Sequence, residues 1–235
     1  MDYSVIIPAF NEEDYLPQTL AALKQAMAGQ AYQGEVILVD NNSTDQTPQI
    51  AKDHGITLVF EPINQISRAR NAGAEVAKGK YLVFLDADTQ ATASVLTQAL
   101  EAMAQERQIG GGVLLSFGAA NPSGVKLWNW ISMKFDLAAG GFFFVTAEAF
   151  AQTGGFSQKV YASEEIWLSN QLKRLGRRAG RPFRILDCEP ILTSDRKLSW
   201  FGPIRYGLMF LMVCIFPWML RFRFFLPIWY KRPLK

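Results

Sequence analysis

Tyr81-Leu82-Val83-Phe84-Leu85-Asp86-Ala87-Asp88 is an apolar run that ends in two aspartates separated by one residue. An unbroken run of Val, Leu and aromatic residues suits a strand covered on both faces, as in a parallel sheet. Side chains alternate along an extended chain, so Asp86 and Asp88 leave the strand end on the same side. Two hard oxygen donors placed this way can hold a divalent cation, and two aspartates can equally cap the turn that follows.

Upstream of this run, the same apolar, β-branched pattern predicts strands at residues 3–8, 35–40 and 57–60, with the run itself giving a fourth at 80–86. Segments of helical periodicity separate them, at 12–27, 44–54 and 67–77, and Ser43-Thr44-Asp45 offers an N-cap for the second. Strands alternating with helices predict an α/β domain: a Rossmann-like, mostly parallel sheet with helices on both faces. In such sheets ligands bind beyond the carboxyl ends of the strands. Pro8-Ala9-Phe10-Asn11-Glu12, Asp40-Asn41-Asn42 and Asp86-Ala87-Asp88 all fall at such ends, which predicts one polar site along one edge.

After Gly110-Gly111-Gly112 the pattern loosens into a strand at 113–117, a Trp-rich amphipathic helix at 125–137 and a strand at 142–145. A last helix is predicted at 163–175, stopping at Gly176 and followed by Arg177, Arg178, Arg181 and Arg184. These segments are expected to shape the acceptor side of the site.

The bulk properties exclude several classes. With 24 Lys and Arg against 21 Asp and Glu, a net charge of +3 gives no electrostatic footprint for nucleic acid. Cys188 and Cys214 stand far apart with no metal-ligand spacing, so neither a disulfide framework nor a zinc site is indicated. The start, Met1-Asp2-Tyr3-Ser4-Val5, lacks the basic and apolar regions of a secretory signal, and a cytoplasmic catalytic part is the expectation. Of the 235 residues, 49% are hydrophobic, and the excess sits after residue 200. The organisation expected is a main domain at 1–200 and an apolar helical tail at 201–235. A spanning helix needs roughly 20 apolar residues, and the uncharged stretch between Arg205 and Arg221 is shorter. The tail therefore reads as interfacial at a membrane surface, or packed on the domain or in a dimer.

Taken in order, Val5-Ile6-Ile7-Pro8-Ala9-Phe10-Asn11-Glu12-Glu13, Val39-Asp40-Asn41-Asn42-Ser43-Thr44-Asp45, Ser67-Arg68-Ala69-Arg70-Asn71, Asp86-Ala87-Asp88, Gly140-Gly141-Phe142 and Glu164-Glu165 resemble the family 2 glycosyltransferases, which have the GT-A fold. The resemblance covers roughly residues 3 to 198, and the ordered set is specific where each motif alone is not. It implies that the domain at 1–200 moves a sugar, a hexose in the commonest case, from a nucleotide-diphosphate donor to an acceptor, with inversion and with Mn²⁺ or Mg²⁺ as cofactor.

The resemblance also implies roles. Pro8, Phe10 and Glu12 line the nucleotide pocket, Asp40 holds the base or ribose, and Arg68 contacts the diphosphate, with Arg70 and Asn71 continuing the match. An exposed helix face is the plain alternative for Arg70. Asp88 is the principal metal ligand and Asp86 contacts ribose or metal. Gly141 lies in the glycine segment facing donor and acceptor, and Glu165 is the general base, with Glu164 the other candidate because relatives more often carry Glu-Asp here. Thr193-Ser194-Asp195-Arg196-Lys197 resembles a loop in which Arg196 would meet the diphosphate. Relatives that recruit a late histidine to the metal have no counterpart here, since the one histidine, His54, precedes the aspartates. If the tail binds membrane, a lipid-linked acceptor follows. Two other classes remain: a sugar nucleotidyltransferase, although Pro8 to Glu13 lacks the expected glycine-rich loop, and an inactive membrane-associated scaffold.

Overall fold

The computed structural model describes residues 1–117, 123–138, 140–196, 200, 202, 208, 212 and 216–230. About half of the tail expected at 201–235, and Lys197 of the loop, lie outside the described residues.

A seven-stranded sheet forms the centre. Its strands in chain order are β1 (Tyr3–Ala9), β2 (Gly34–Asp40), β3 (Thr57–Phe60), β4 (Tyr81–Leu85), β6 (Gly110–Gly112), β8 (Phe142–Thr146) and β9 (Phe183–Ile185), arranged β3-β2-β1-β4-β8-β6-β9. β1 pairs in parallel with β2 and β4, and β2 with β3. The chain moves outward from β1 through β2 to β3 and then returns to place β4 on the other side of β1. The crevice beyond β1 and β4 is therefore the topological switch point, where such sheets bind ligands.

β8 runs antiparallel to β4, with Leu85 opposite Phe142. Its direction is what puts Gly140-Gly141 at the same edge as Asp86, and the Asp86 amide donates to the Gly141 carbonyl at 3.2 Å. A second, three-stranded sheet of β5 (Thr89–Gln90), β10 (Ile191–Thr193) and β7 (Leu115–Ser116), in the order β5-β10-β7, starts directly after Asp88. Because Thr193 pairs with Thr89, the residues after β10 emerge beside the aspartates.

Helices cover both faces. On one side α1 (Leu16–Met27) and α4 (Ala93–Ala104) pack Leu16, Leu20, Leu23, Val95, Leu96 and Met103 against Val5, Ile7 and Val83. On the other, α3 (Ile66–Val76), α6 (Ala147–Thr153) and α7 (Glu164–Ala179) cover Ile6, Phe84, Phe143 and Phe183. That second core is aromatic: Phe84 makes an edge contact with Phe156 at 4.9 Å between ring centroids, and Phe143 lies 5.6 Å from Phe156. Elsewhere α2 (Thr47–Asp53) lies beside β3 and α5 (Ser123–Phe135) beside β7 and β9, and short helical turns follow at Pro217–Arg221, Arg223–Phe225 and Pro227–Tyr230.

The four expected strands of the first half and their intervening helices are present within a few residues of the expected bounds. The differences have physical causes. The residue at the N-cap of α2 is Gln46, yet Asp45 of the expected Ser43-Thr44-Asp45 region accepts through Oδ1 from the amide of Thr47, the first helical residue, at 2.9 Å, while Ser43 Oγ accepts from the Asn11 amide at 3.0 Å. Helix α7 runs through Gly176 and ends at Gly180 in a left-handed conformation, φ 67°. Gly176 serves packing, since a Cβ there would lie 2.3 Å from the Arg181 carbonyl oxygen. The strand expected at 113–117 is only the short β7, while the glycine triplet before it forms β6 inside the main sheet.

Glycine is depleted in strands, yet β6 needs it, because a Cβ on Gly111 would sit 2.0 Å from the Arg184 carbonyl oxygen of the neighbouring β9. Gly111→Ala is expected to cost about 1–3 kcal/mol in urea unfolding. Gly124→Ala, at a helical site with nothing within 4 Å of the added methyl, is expected to be neutral or stabilising.

Candidate active site

Arg70 anchors the site. It shares one face of α3 with Ile66, Ala69 and Gly73, at the i, i+3, i+4, i+7 spacing of a buried stripe, and its side chain is fully buried. A guanidinium keeps its charge inside a protein, so its burial demands acceptors. Nη1 donates to Glu164 Oε1 at 2.7 Å and to Glu165 Oε1 at 2.6 Å, and Nη2 donates to Asp86 Oδ1 at 2.9 Å and to the Gly140 carbonyl at 3.3 Å. Below it, the guanidinium carbon lies 5.1 Å from the centre of the Phe156 ring. The exposed helix face considered for Arg70 is thus overturned, and the signal was in the sequence: Arg70 falls on the apolar stripe of its own helix.

The electrostatics follow from crowding three acids around one cation. Burial alone would lower the Arg70 pKa, but Glu165, Asp86 and Glu164 together push it up. Glu164 is raised to about 8, first by burial and then by the neighbouring Glu165, with Arg70 pulling the other way. A proton on Glu164 relieves one of the three negative charges. Glu165 is the more accessible of the pair, its side chain 12% exposed against 2% for Glu164.

A second ion network lies at the other aspartate. Arg196 grips both carboxylate oxygens of Glu12, with Nη2 to Oε1 at 2.7 Å, and the same Nη2 lies 3.1 Å from Asp88 Oδ2. Ser194 Oγ donates to Asp88 Oδ2 at 2.5 Å, and the Ser194 amide to the Asp88 carbonyl at 3.2 Å. The Arg196 guanidinium carbon lies 4.9 Å from the Tyr15 ring and 5.5 Å from the Trp200 ring. Ser194 is the serine of the Ser-x-Arg pattern read in the sequence, where only Arg196 was given a role; the β10–β5 pairing brings the serine to Asp88.

The other expected residues border these networks to differing degrees. Pro8 is buried in β1 opposite Val39, and Phe10 is half-buried just beyond the strand end. Asp40 closes β2, is 5% exposed, and accepts through Oδ1 from the Ser43 amide at 2.9 Å. Arg68 is half-buried, its Nε donating to Gln65 Oε1 at 3.2 Å. Asn71 is turned the other way: its side-chain amide donates to the Phe156 carbonyl and its oxygen accepts from the Phe156 amide. It pins the turn after α6, where Gly155 must lack a side chain because a Cβ would lie 2.8 Å from Asn71 Oδ1. Gly140 is bare for a similar reason, since a Cβ there would meet Glu165 Oε1 at 2.5 Å and Arg70 Nη2 at 2.9 Å. Gly141 is buried against Leu115. His54 is exposed at the end of α2.

Three residues other than glycine that take a positive φ stand at this edge: Asn11 at 51°, Asn42 at 69° and Ser163 at 61°. Asparagine tolerates that conformation and serine does so less readily. Strain of this kind collects where a loop must aim a group, and Ser163 directly precedes Glu164 and Glu165.

Among the described residues no group of three or more His, Cys, Asp or Glu could hold a metal ion. Of the acids at this edge, Asp86 accepts from Arg70, and Asp88 accepts from Ser194 and lies against Arg196. That set fits Mg²⁺ or Mn²⁺, which take one or two carboxylates and complete their shell with phosphate and water.

Among proteins compared with this chain, an uncharacterized glycosyltransferase of Haemophilus influenzae is 37% identical over 113 residues, 45% of this chain and 44% of that protein. A dolichol-phosphate mannosyltransferase of Pyrococcus furiosus is 30% identical over 135 residues, 55% of this chain and 36% of that protein. The chain thus spans about half the length, or less, of these curated relatives. Among solved structures, the mannosyltransferase PcManGT from Pyrobaculum calidifontis, in complex with GDP-Man and Mn²⁺, superposes with a TM-score of 0.65 over 93% of this chain and 66% of that one, at 20% identity. That likeness carries the GT-A fold. The family model for glycosyl transferase family 2 matches residues 4–161, well over half of the sequence, and the chain belongs to that family.

Proposed function

We propose that this chain transfers a sugar from a nucleotide-diphosphate donor to a hydroxyl or phosphate acceptor with inversion, Glu165 serving as general base. The observation that carries the proposal is the convergence on Arg70 of Asp86, from the donor-side strand end, and Glu165, from the start of α7. Family membership supports sugar transfer, and PcManGT, with its bound GDP-Man and Mn²⁺, supports a nucleotide donor and a metal.

In this reading Asp40 and the loop after β1 take the nucleoside at the switch point. Asp88 and Asp86 would hold Mn²⁺ or Mg²⁺, which neutralises the diphosphate. Arg196 and Arg68 add positive charge on the donor side. Glu165 accepts the proton of an acceptor hydroxyl as its oxygen bonds to the anomeric carbon, while the bond from that carbon to the diphosphate breaks on the opposite face. Glu164, deeper and held protonated by burial, serves to keep Arg70 and Glu165 in place. The dolichol-phosphate relative supports a lipid-linked acceptor, reached from a membrane surface. Among the described residues no helix is long and apolar enough to cross a membrane.

A thermal-shift panel of UDP-, GDP- and dTDP-sugars with and without Mn²⁺ identifies the donor, because a ligand that binds only the folded state raises the melting temperature. Asp88→Ala is expected to lower Mn²⁺-dependent donor turnover about 100-fold or more; full retention would sink the metal assignment. Glu165→Gln is expected to remove transfer while leaving the donor-induced thermal shift in place. If Glu164→Gln does so instead, the two acids exchange roles.

Burial of Glu164 also makes stability depend on pH. Its folded-state pKa, about 8, lies above the ordinary glutamate value. The contribution of its protonated form is thus full below the ordinary value and is lost as pH rises through about 8. Urea midpoints measured from pH 5 to 9 are expected to fall toward the alkaline end in the parent chain, and to fall less in Glu164→Gln.

A further inference from the structure

Two exposed faces belong to segments that adjoin the acid-bearing part of the site. The first belongs to α5, Ser123–Phe135, which contains no acidic residue. At 100° per residue, Met133, Lys126, Trp130, Lys134 and Leu127 fall within about a third of its circumference. All five are exposed, Leu127 at 58% and Trp130 at 56%. The opposite side is anchored: Asn129 bonds both backbone groups of Leu115, and Ser132 is buried with its hydroxyl on the Leu137 carbonyl. Lys134 Nζ lies 4.6 Å over the Trp130 ring, a cation–π contact on the exposed face. Five residues after α5 ends comes Gly140, whose carbonyl accepts from Arg70.

The second face is carried by residues 217–230. Leu220 and Leu226 are buried against Val160 and Ala162, the Tyr161 amide donates to the Leu220 carbonyl at 2.7 Å, and the Tyr230 hydroxyl donates to the Tyr161 carbonyl at 2.6 Å. This clasp grips the loop that leads into Glu164 and Glu165. On its outer side Trp218, Phe222 and Phe224 are 52%, 53% and 88% exposed, with Arg221 and Arg223 between them also exposed. From Arg196 to Lys235 the sequence has no Asp or Glu, while Lys and Arg stand on either side of the uncharged stretch at 206–220.

We propose that these two faces form a docking surface for an anionic lipid bilayer, with the aromatic rings at the headgroup level and Lys126, Lys134, Arg221 and Arg223 on the lipid phosphates. Bulky apolar residues interleaved with basic ones and free of acids are the chemistry of an interfacial segment. The same charge pattern tells against a second copy as occupant: in a two-fold contact the patch meets itself, and lysines would oppose lysines or arginines. Docking here brings to the bilayer the segment that leads to Gly140 and the one that grips the loop before Glu164 and Glu165. The inference rests on Glu165 facing the acceptor, as proposed above, for its functional sense, but the surface itself does not.

The test is co-sedimentation of the full chain with vesicles of phosphatidylglycerol and phosphatidylcholine, against vesicles of phosphatidylcholine alone. Binding to the anionic vesicles only, weakened by salt, is the expected result. The pair Lys126→Glu with Lys134→Glu, and separately Trp218→Ser with Phe224→Ser, are each expected to lower partitioning about 10-fold or more, with circular dichroism and Mn²⁺-dependent donor hydrolysis unchanged. The milder Trp130→Ser guards against a charge reversal that unfolds α5, and is expected to weaken binding in the same direction. Equal binding by parent and variants, equal binding to both vesicle types, or a dimer in sedimentation velocity that the variants abolish would each overturn the proposal. Loss of donor hydrolysis in the parent chain with vesicle binding intact would overturn the transferase reading and leave the docking surface standing.

Discussion

A guanidinium buried with no access to water requires partners of opposite charge, and the Arg70 side chain recruits them from two separate parts of the chain, Asp86 and the pair Glu164–Glu165. Desolvating an ion costs several kcal/mol, which only close, hydrogen-bonded counter-charges offset. Asp86 must therefore end β4 facing α3, α7 must begin with its acids turned inward, and Gly140 must carry no side chain, since a Cβ would enter the cluster. The aromatic ring of Phe156 beneath the guanidinium completes the enclosure, and Asn71, next in sequence to Arg70, fixes Phe156 through both of its backbone groups. One residue pair in α3 thus ties the donor edge of the sheet to the start of α7.

The topology allows this because β8 is reversed. A wholly parallel sheet would place the segment before β8 at the far edge. The antiparallel pairing of β4 with β8 instead puts Gly140 and Gly141 beside Asp86. The small sheet works in the same way on the other aspartate: β10 runs antiparallel to β5, so Ser194 and Arg196 arrive at Asp88 from a hundred residues away in the sequence. Asp86 and Asp88, two positions apart, are consequently held by two different arginines that belong to two different sheets' surroundings.

Much of the first half was legible in the sequence because local pattern and fold agree there: apolar runs buried on both faces, amphipathic helices between them, polar residues at the carboxyl ends. Where reading failed, a tertiary contact outweighed a local rule. Gly110-Gly111-Gly112 has poor strand propensity, yet it is a strand whose neighbours, Phe144 on β8, Arg184 on β9 and Ala138, leave no room for a Cβ; Gly176 looks like a helix stop and is a packing glycine. Arg70 looks like a surface residue by type and is a core residue by phase. Glu12 was legible as a site residue, but its bidentate hold on Arg196 was not, since the partner lies 184 residues away and is delivered by a strand pairing no local pattern announces.

The departure from the Glu-Asp pair of relatives also has a geometric explanation. Successive residues on a helix point about 100° apart and do not face each other, yet Glu164 and Glu165 reach the same nitrogen, Arg70 Nη1, at 2.7 and 2.6 Å. Two features make that convergence feasible. Ser163, in a left-handed conformation, redirects the chain immediately before the first turn, where helical constraints on side-chain direction are weakest. The second feature is length: Glu165 has one methylene more than aspartate, and its carboxylate reaches Nη1 while remaining the more exposed of the two acids. The extra methylene therefore need not carry the carboxylate further toward an acceptor; in this arrangement it is taken up by the return to Arg70, and the carboxylate is kept at the rim by the same arginine that holds Asp86.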